Sequence, residues 1–196
     1  MIPDEMVRAA ISLIERSKKK GTRLLVAIDG GAGAGKSTLA REIRNRLGGV
    51  AILSTDDFFR PLNEYPAASL PPEKLYDLYF PWQRMRDEAL IPLRRGETAR
   101  YQRYDWSSDR LLDWIIVEPE EIVLVEGVYS SRPELRTMLD AAIIVEASRD
   151  ERRRRVLARG PNQSSDWMTP WMAAEDWYFD HIRPQDSAEL ILPSAE

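Results

Sequence analysis

Cysteine is absent from the 196 residues, which excludes disulfides, thiolate metal sites and a catalytic thiol. Histidine occurs once, at His181, so His-based zinc sites and Ser-His-Asp triads are excluded as well. No apolar run approaches the ~20 residues that span a bilayer, and the first residues carry no signal-type apolar segment. The expectation is a cytoplasmic protein with no membrane partner. A large positive charge is also missing. The formal net charge is -4 and the pI is near 5.3, which argues against nucleic acid as a general partner. What is present suffices for one well-cored domain spanning residues 1–196. Self-association into a homo-oligomer is left open.

Short apolar runs alternate with amphipathic ones. Met6, Val7, Ala10, Ile11 and Ile14 have helical spacing within 3–19. "TRLLVAID", "VAILST", "EIVLVEG", "AAIIVEAS" and "AELILP" have the look of buried parallel strands. Helices are expected over 36–47, 83–93, around "RPELRTML", over "RDERRRRVLARG" and over 167–183. "ARYQRYDW" and "DWIIVEP" predict a hairpin beside the main sheet. Residues 60–81, rich in proline and aromatics, predict an irregular excursion. This order defines an α/β domain with a largely parallel sheet flanked by helices.

"AIDGGAGAGKST" fits G-x-x-x-x-G-K-[ST] between a strand and a helix, the pattern of a triphosphate cradle. The backbone of Gly30, Gly31, Ala32, Gly33, Ala34, Gly35, Lys36, Ser37 and Thr38 would wrap the phosphates at a helix N-terminus. Lys36 would reach the β- and γ-phosphates, and the Ser37 hydroxyl would ligate Mg²⁺. Glu126, closing the apolar run "IVLVE", is the candidate acidic partner for that metal, directly or through water. The alternative is a carboxylate that merely caps a strand.

Asp56 and Asp57 follow the second strand. One of them is expected to face the cleft, because adjacent strand residues point to opposite faces. A carboxylate there could accept the proton of a hydroxyl attacking the γ-phosphoryl of ATP, or hold a metal-bound water, or cap a helix. "RDERRRRVLARG" holds six arginines in twelve residues. Arg152, Arg155 and Arg159 fall within one ~60° sector of a helix, which suits a lid over the triphosphate or, equally, a solvated face. The aromatics of "KLYDLYFPW" and "YQRYDW" would line a substrate pocket or form a small core under a long loop. His181 near a helix end is expected to cap it.

In their order, "DGGAGAGKST", "LSTDDFF", "RYDW", "VEGVY", "RDERRRRVLARG" and "RPQDSAELIL" resemble the uridine kinase/phosphoribulokinase/pantothenate kinase family of P-loop kinases, most closely its bacterial uridine-kinase-like members. The resemblance runs from Leu24 to Pro193. It implies a P-loop-type parallel sheet of about five strands, a small hairpin excursion over the substrate pocket and an Arg-rich lid. It further implies ATP and Mg²⁺ as cofactors and phosphorylation of a hydroxyl on a nucleoside or similar small-molecule alcohol. By that likeness Asp56 is the base. Tyr76 and Asp77 hold the ribose hydroxyls, with Trp82 at the place of a later aromatic. Tyr104, Asp105 and Trp106 line the base pocket, and Arg152 and Arg155 are the lid arginines that close over the γ-phosphoryl, with Arg159 a further candidate on the cofactor. One position departs: Asp109 stands where animal-type relatives carry a base-reading histidine, a change expected to alter base preference. Pantothenate, glycerate or a sugar is the alternative acceptor. A non-catalytic ATP-binding protein is the rival of another class, and a GTPase is disfavoured because the chain holds no N-K-x-D string.

Overall fold

The computed structural model describes residues 2–61, 70–158 and 165–193, without the side chains of 165–168. Its main sheet contains β1 (Leu24–Asp29), β2 (Val50–Ser54), β5 (Ile122–Glu126), β6 (Ala141–Glu146) and β7 (Leu190–Pro193) in the order β2-β5-β1-β6-β7. Every pairing in it is parallel. β3 (Ala99–Asp105) and β4 (Arg110–Val117) form the separate antiparallel hairpin.

The continuous apolar runs are explained by burial on both faces. Leu24, Val26 and Ile28 of β1 point to one side, where Leu39, Ala40 and Ile43 of α2 (Lys36–Arg46) and Val7, Ala10 and Ile14 of α1 (Asp4–Ser17) cover them. Each of these larger side chains contributes about 1.5–3 kcal/mol by leaving water. Leu25 and Ala27 point to the other side, packed in one cluster with residues of the hairpin and of α8 (Ser165–Trp177). Strands β1, β5 and β2 therefore end side by side, and the loops that leave their C-terminal ends meet at one edge of the sheet.

Two expectations change. The stretch expected to be irregular contains α3 (Pro72–Tyr79), which starts on a helix-compatible proline and buries Leu75, Tyr76 and Tyr79 on one face; residues 62–69 lie outside the described ones. The helix expected from residue 83 runs from α4 (Trp82–Met85) through a π-helical turn (Arg86–Leu90) into α5 (Ile91–Arg95). The remaining helices are α6 (Pro133–Arg136) and α7 (Arg149–Leu157), with α8 continuing into a π turn (Tyr178–Ile182). Among the described residues no helix is long and apolar enough to cross a membrane.

Candidate active site

β1 hands the chain to the glycine-rich loop through Asp29, whose carboxylate is fully buried. It accepts hydrogen bonds from the N–H groups of Gly30 (2.6 Å), Tyr129 (3.1 Å) and Ser131 (2.9 Å) and from the hydroxyls of Ser131 (2.6 Å) and Tyr178 (2.8 Å). Burial pushes its carboxyl above the usual range, and these donors oppose the shift. The result is a fixed root for the loop, tied to the segment after β5 and to the end of α8.

The loop then turns tightly. Gly33 sits at φ +83°, and a Cβ there would lie 2.6 Å from the Arg152 carbonyl oxygen, so only glycine fits without displacement. Lys36 opens α2, and its Nζ donates to the Gly31 carbonyl at 3.0 Å. The Ser37 hydroxyl donates to Glu126 Oε2 at 3.0 Å, and Ser54 at the end of β2 donates to Glu126 Oε1 at 3.1 Å. Glu126, only 8% exposed, thus links the strand ends to the residue after the lysine. Gly127 follows at φ +138°, where a Cβ would lie 1.8 Å from Thr55 Oγ1. That close approach sets the β5 end against the turn that carries Asp56.

Asp56 and Asp57 lie in a 3-10 turn (Thr55–Phe58) capped by Ser54, whose side chain accepts from the Asp56 N–H at 3.4 Å. They diverge because of that turn and not through strand alternation. Asp56 is exposed on the wall of a cleft of about 1080 Å³ that also holds Lys36, Ser37 and Glu126. Asp57 turns inward and accepts the Tyr101 hydroxyl at 3.0 Å, and burial raises its carboxyl.

The aromatic candidates separate. Trp106, 40% exposed, lines the cleft at the hairpin tip, edge-on to Trp171 of α8 with ring centroids 5.4 Å apart. Tyr76 does not: it is buried, stacked on Tyr178 at 5.4 Å and lying 4.5 Å beneath the Arg132 guanidinium. Tyr104 is buried too, and its hydroxyl donates to Asp109 at 2.7 Å. Asp109, Asp77 and Trp82 are likewise not among the residues lining the cleft. Asp105 turns back on its own loop, accepting from the Ser107 and Ser108 hydroxyls, which hold its carboxyl down at about 2. An aromatic-rich segment next to a sheet supplied core here more than pocket.

The arginine helix stands behind the loop. Arg152 is buried and bridges Glu175 Oε2 (2.8 Å) and Asp176 Oδ1 (3.0 Å), so its guanidinium is engaged with α8 and not poised over the cleft. Arg155 donates to Glu151 and to the Gly33 carbonyl at 3.2 Å. Arg159 lies outside the described residues. Glu175 is the residue sequence reasoning missed. It is fully buried, accepts the Ala32 N–H at 3.1 Å on both oxygens and takes the Trp171 indole N–H. Burial raises its carboxyl, and Arg152 opposes that. Its only sequence signal is an acid inside the apolar string "WMAAEDW". His181 behaves as expected, exposed at the end of α8's continuation and 3.0 Å from the Trp177 carbonyl.

The donor set suits a hard cation carried in with a triphosphate. One hydroxyl and one carboxylate meet at the loop, and Mg²⁺ takes few protein oxygens beside phosphates and water. Among the described residues no group of three or more His, Cys, Asp or Glu side chains is placed to hold a metal, so an all-protein cage is not what these residues build.

A parallel sheet in this order, with the phosphate-type loop rooted between β1 and α2 and an acid beside the serine, defines a P-loop kinase of small molecules. The family profile described as Phosphoribulokinase / Uridine kinase matches residues 25–196, and the chain belongs to that family. A uridine kinase of Staphylococcus haemolyticus is 31% identical over 183 residues, covering 86% of each chain. A uridine kinase of Halobacterium salinarum is 32% identical over 132 residues; that match covers 65% of this chain and 58% of the relative. Among solved structures, one described as a "Possible Uridine Kinase from Bacillus stearothermophilus" superposes with a TM-score of 0.74 at 19% identity, covering 96% of both chains. That last likeness concerns the fold.

Proposed function

We propose that this kinase transfers the γ-phosphoryl of ATP to a hydroxyl of a small-molecule alcohol of nucleoside or sugar size. The observation that carries the reading is the 3.0 Å contact between Ser37 and Glu126, in the same cleft as the exposed Asp56. Donor and acceptor chemistry thereby share one space. Mg²⁺, held by Ser37 and Glu126, would neutralise charge on the β- and γ-phosphates.

The chain's own residues do the rest. The loop amides and the α2 N-terminus bind the phosphates, and Lys36 exchanges the Gly31 carbonyl for a phosphate oxygen. Asp56 orients the acceptor hydroxyl in line and takes its proton as the bond to phosphorus forms. Trp106 and Trp171 wall the cleft with apolar surface, which excludes the water that would otherwise hydrolyse ATP. Arg155 reaches the loop from α7, and Arg152 supports the loop through Glu175.

Within this reaction, a second acceptor class has an observation of its own. Tyr76 and Tyr104, assigned by resemblance to the ribose and base of a nucleoside, are buried in the core. That favours an alcohol other than a nucleoside, such as a sugar, glycerate or pantothenate-like molecule. The reaction class is tested by Asp56→Asn. Transfer should fall by about 10²–10⁴-fold while ATP binding, measured by calorimetry, persists. Turnover near that of the unmodified protein would refute the assignment.

A further inference from the structure

Two charged groups of the cleft have no part in the proposed transfer. Arg41 and Arg44 line it from α2, one turn apart on the same flank, together with Ile52 of β2. Their Cα atoms lie about 6 and 10.5 Å along the helix from Ser37. They flank the part of the cleft bordered by edge strand β2 and Asp56, on the opposite side of β1 from β6 and α7.

Two other charged groups of the cleft are held in place. Lys36 holds the Gly31 carbonyl, and Glu126 is spanned by Ser37 and Ser54. Of the arginines elsewhere, Arg152, Arg155, Arg132, Arg94, Arg84 and Arg136 each meet a carboxylate, while Arg95, Arg110 and Arg153, which have no such partner among the described residues, do not line the cleft. Among the described residues, Arg41 and Arg44 make no ion pair or side-chain hydrogen bond. A guanidinium presents a planar fork that matches a carboxylate or a phosphate bidentately. Two forks one turn apart, on the acceptor side of a kinase cleft, form a receptor for an anionic group.

We infer that the acceptor is an alcohol bearing a carboxylate or a phosphate monoester, bound through Arg41 and Arg44 while its hydroxyl meets Asp56. This rests on the kinase reading and narrows its substrate class. Trp106 would close over the carbon skeleton between the two ends. A neutral nucleoside leaves both guanidinium groups without a partner.

The test uses the full chain with ATP and Mg²⁺ and matched acceptors on one skeleton: glycerol, glycerate and glycerol 3-phosphate, then ribose, ribonate and ribose 5-phosphate, with uridine as the neutral nucleoside. ADP release should show kcat/KM for an anionic member at least about tenfold above its neutral partner. The advantage should shrink as salt rises. The carboxylate and phosphate arms distinguish the two anions. The double variant Arg41→Gln/Arg44→Gln should erase the advantage through KM for the acceptor while KM for ATP stays unchanged. Equal or better use of the neutral members, or a variant that leaves the ratio intact, would overturn the inference. So would a variant that acts through ATP instead. If no alcohol is phosphorylated, the kinase reading fails separately. Calorimetry with the same anions then decides the site: binding lost in the double variant supports it, and no binding overturns it.

Discussion

Arg152→Met removes the guanidinium that faces Glu175 and leaves a fully buried carboxylate with only two N–H donors, from Ala32 and Trp171. Truncating one partner of a buried pair costs about 3–5 kcal/mol, because the remaining charge stays desolvated. Asp176, the second partner, keeps more contact with water and adds little. The loss would be about 6–20 °C in Tm for a chain of this size. Proton uptake by Glu175 limits it, which makes the effect depend on pH in a definite direction. A carboxyl raised in the folded state contributes stability that is fully present below its ordinary value near 4.5 and is lost as pH rises through the raised one. Without Arg152 that raised value climbs further, so the deficit should widen as pH rises, by up to about 1.4 kcal/mol per unit, and is compared at about pH 5.5 and about pH 8. Urea titrations at the two pH values measure it, and Arg152→Met/Glu175→Gln should recover most of the loss at the higher pH. A deficit below about 1 kcal/mol at pH 8, or one independent of pH, would mean that Arg152 does not hold the Glu175 charge in place.

Glu126→Gln replaces the carboxylate beside Ser37 by a weaker ligand, and activity should need about tenfold more Mg²⁺ or more, measured as ADP release across a magnesium titration. Chelation with EDTA should stop transfer while circular dichroism stays unchanged, because Ser37, Ser54 and Glu126 are already held by their own hydrogen bonds. Gly127→Ala should cost about 1–3 kcal/mol for a side chain held at φ +138°, before the overlap with Thr55 is relieved. It should also lower kcat by moving the Asp56 turn, which steady-state kinetics would read separately from stability.

The parallel strands and the loop were legible because each is a local signal. "LLVAID" is a buried strand in any α/β context, and the lysine–serine pair has one chemical use after such a strand. The meeting of Ser37 with Glu126 followed from placing both at the same sheet edge. What stayed hidden depends on packing across long separations. The arginine run gave no sign that Arg152 would turn toward an acid 23 residues away while its neighbours stayed outside. Tyr76 and Tyr104 carry the same chemistry in a core as in a pocket, and only the fold places them behind Tyr129 and Asp109. α3 was obscured by flanking prolines, although Pro72 at its first turn is compatible with a helix. Arg41 and Arg44 read as ordinary solvent-facing residues of α2 until the cleft is assembled beside them.

In the proposed reaction the γ-phosphoryl leaves ATP for an alcohol and not for water. Phosphorus-31 NMR of the protein with ATP, Mg²⁺ and the acceptor series tracks that phosphoryl directly. The expected spectrum shows a phosphate-ester resonance that grows with ADP, requires the acceptor and vanishes in Asp56→Asn. Growth of inorganic phosphate alone, or an ester signal that survives the substitution, would contradict the transfer.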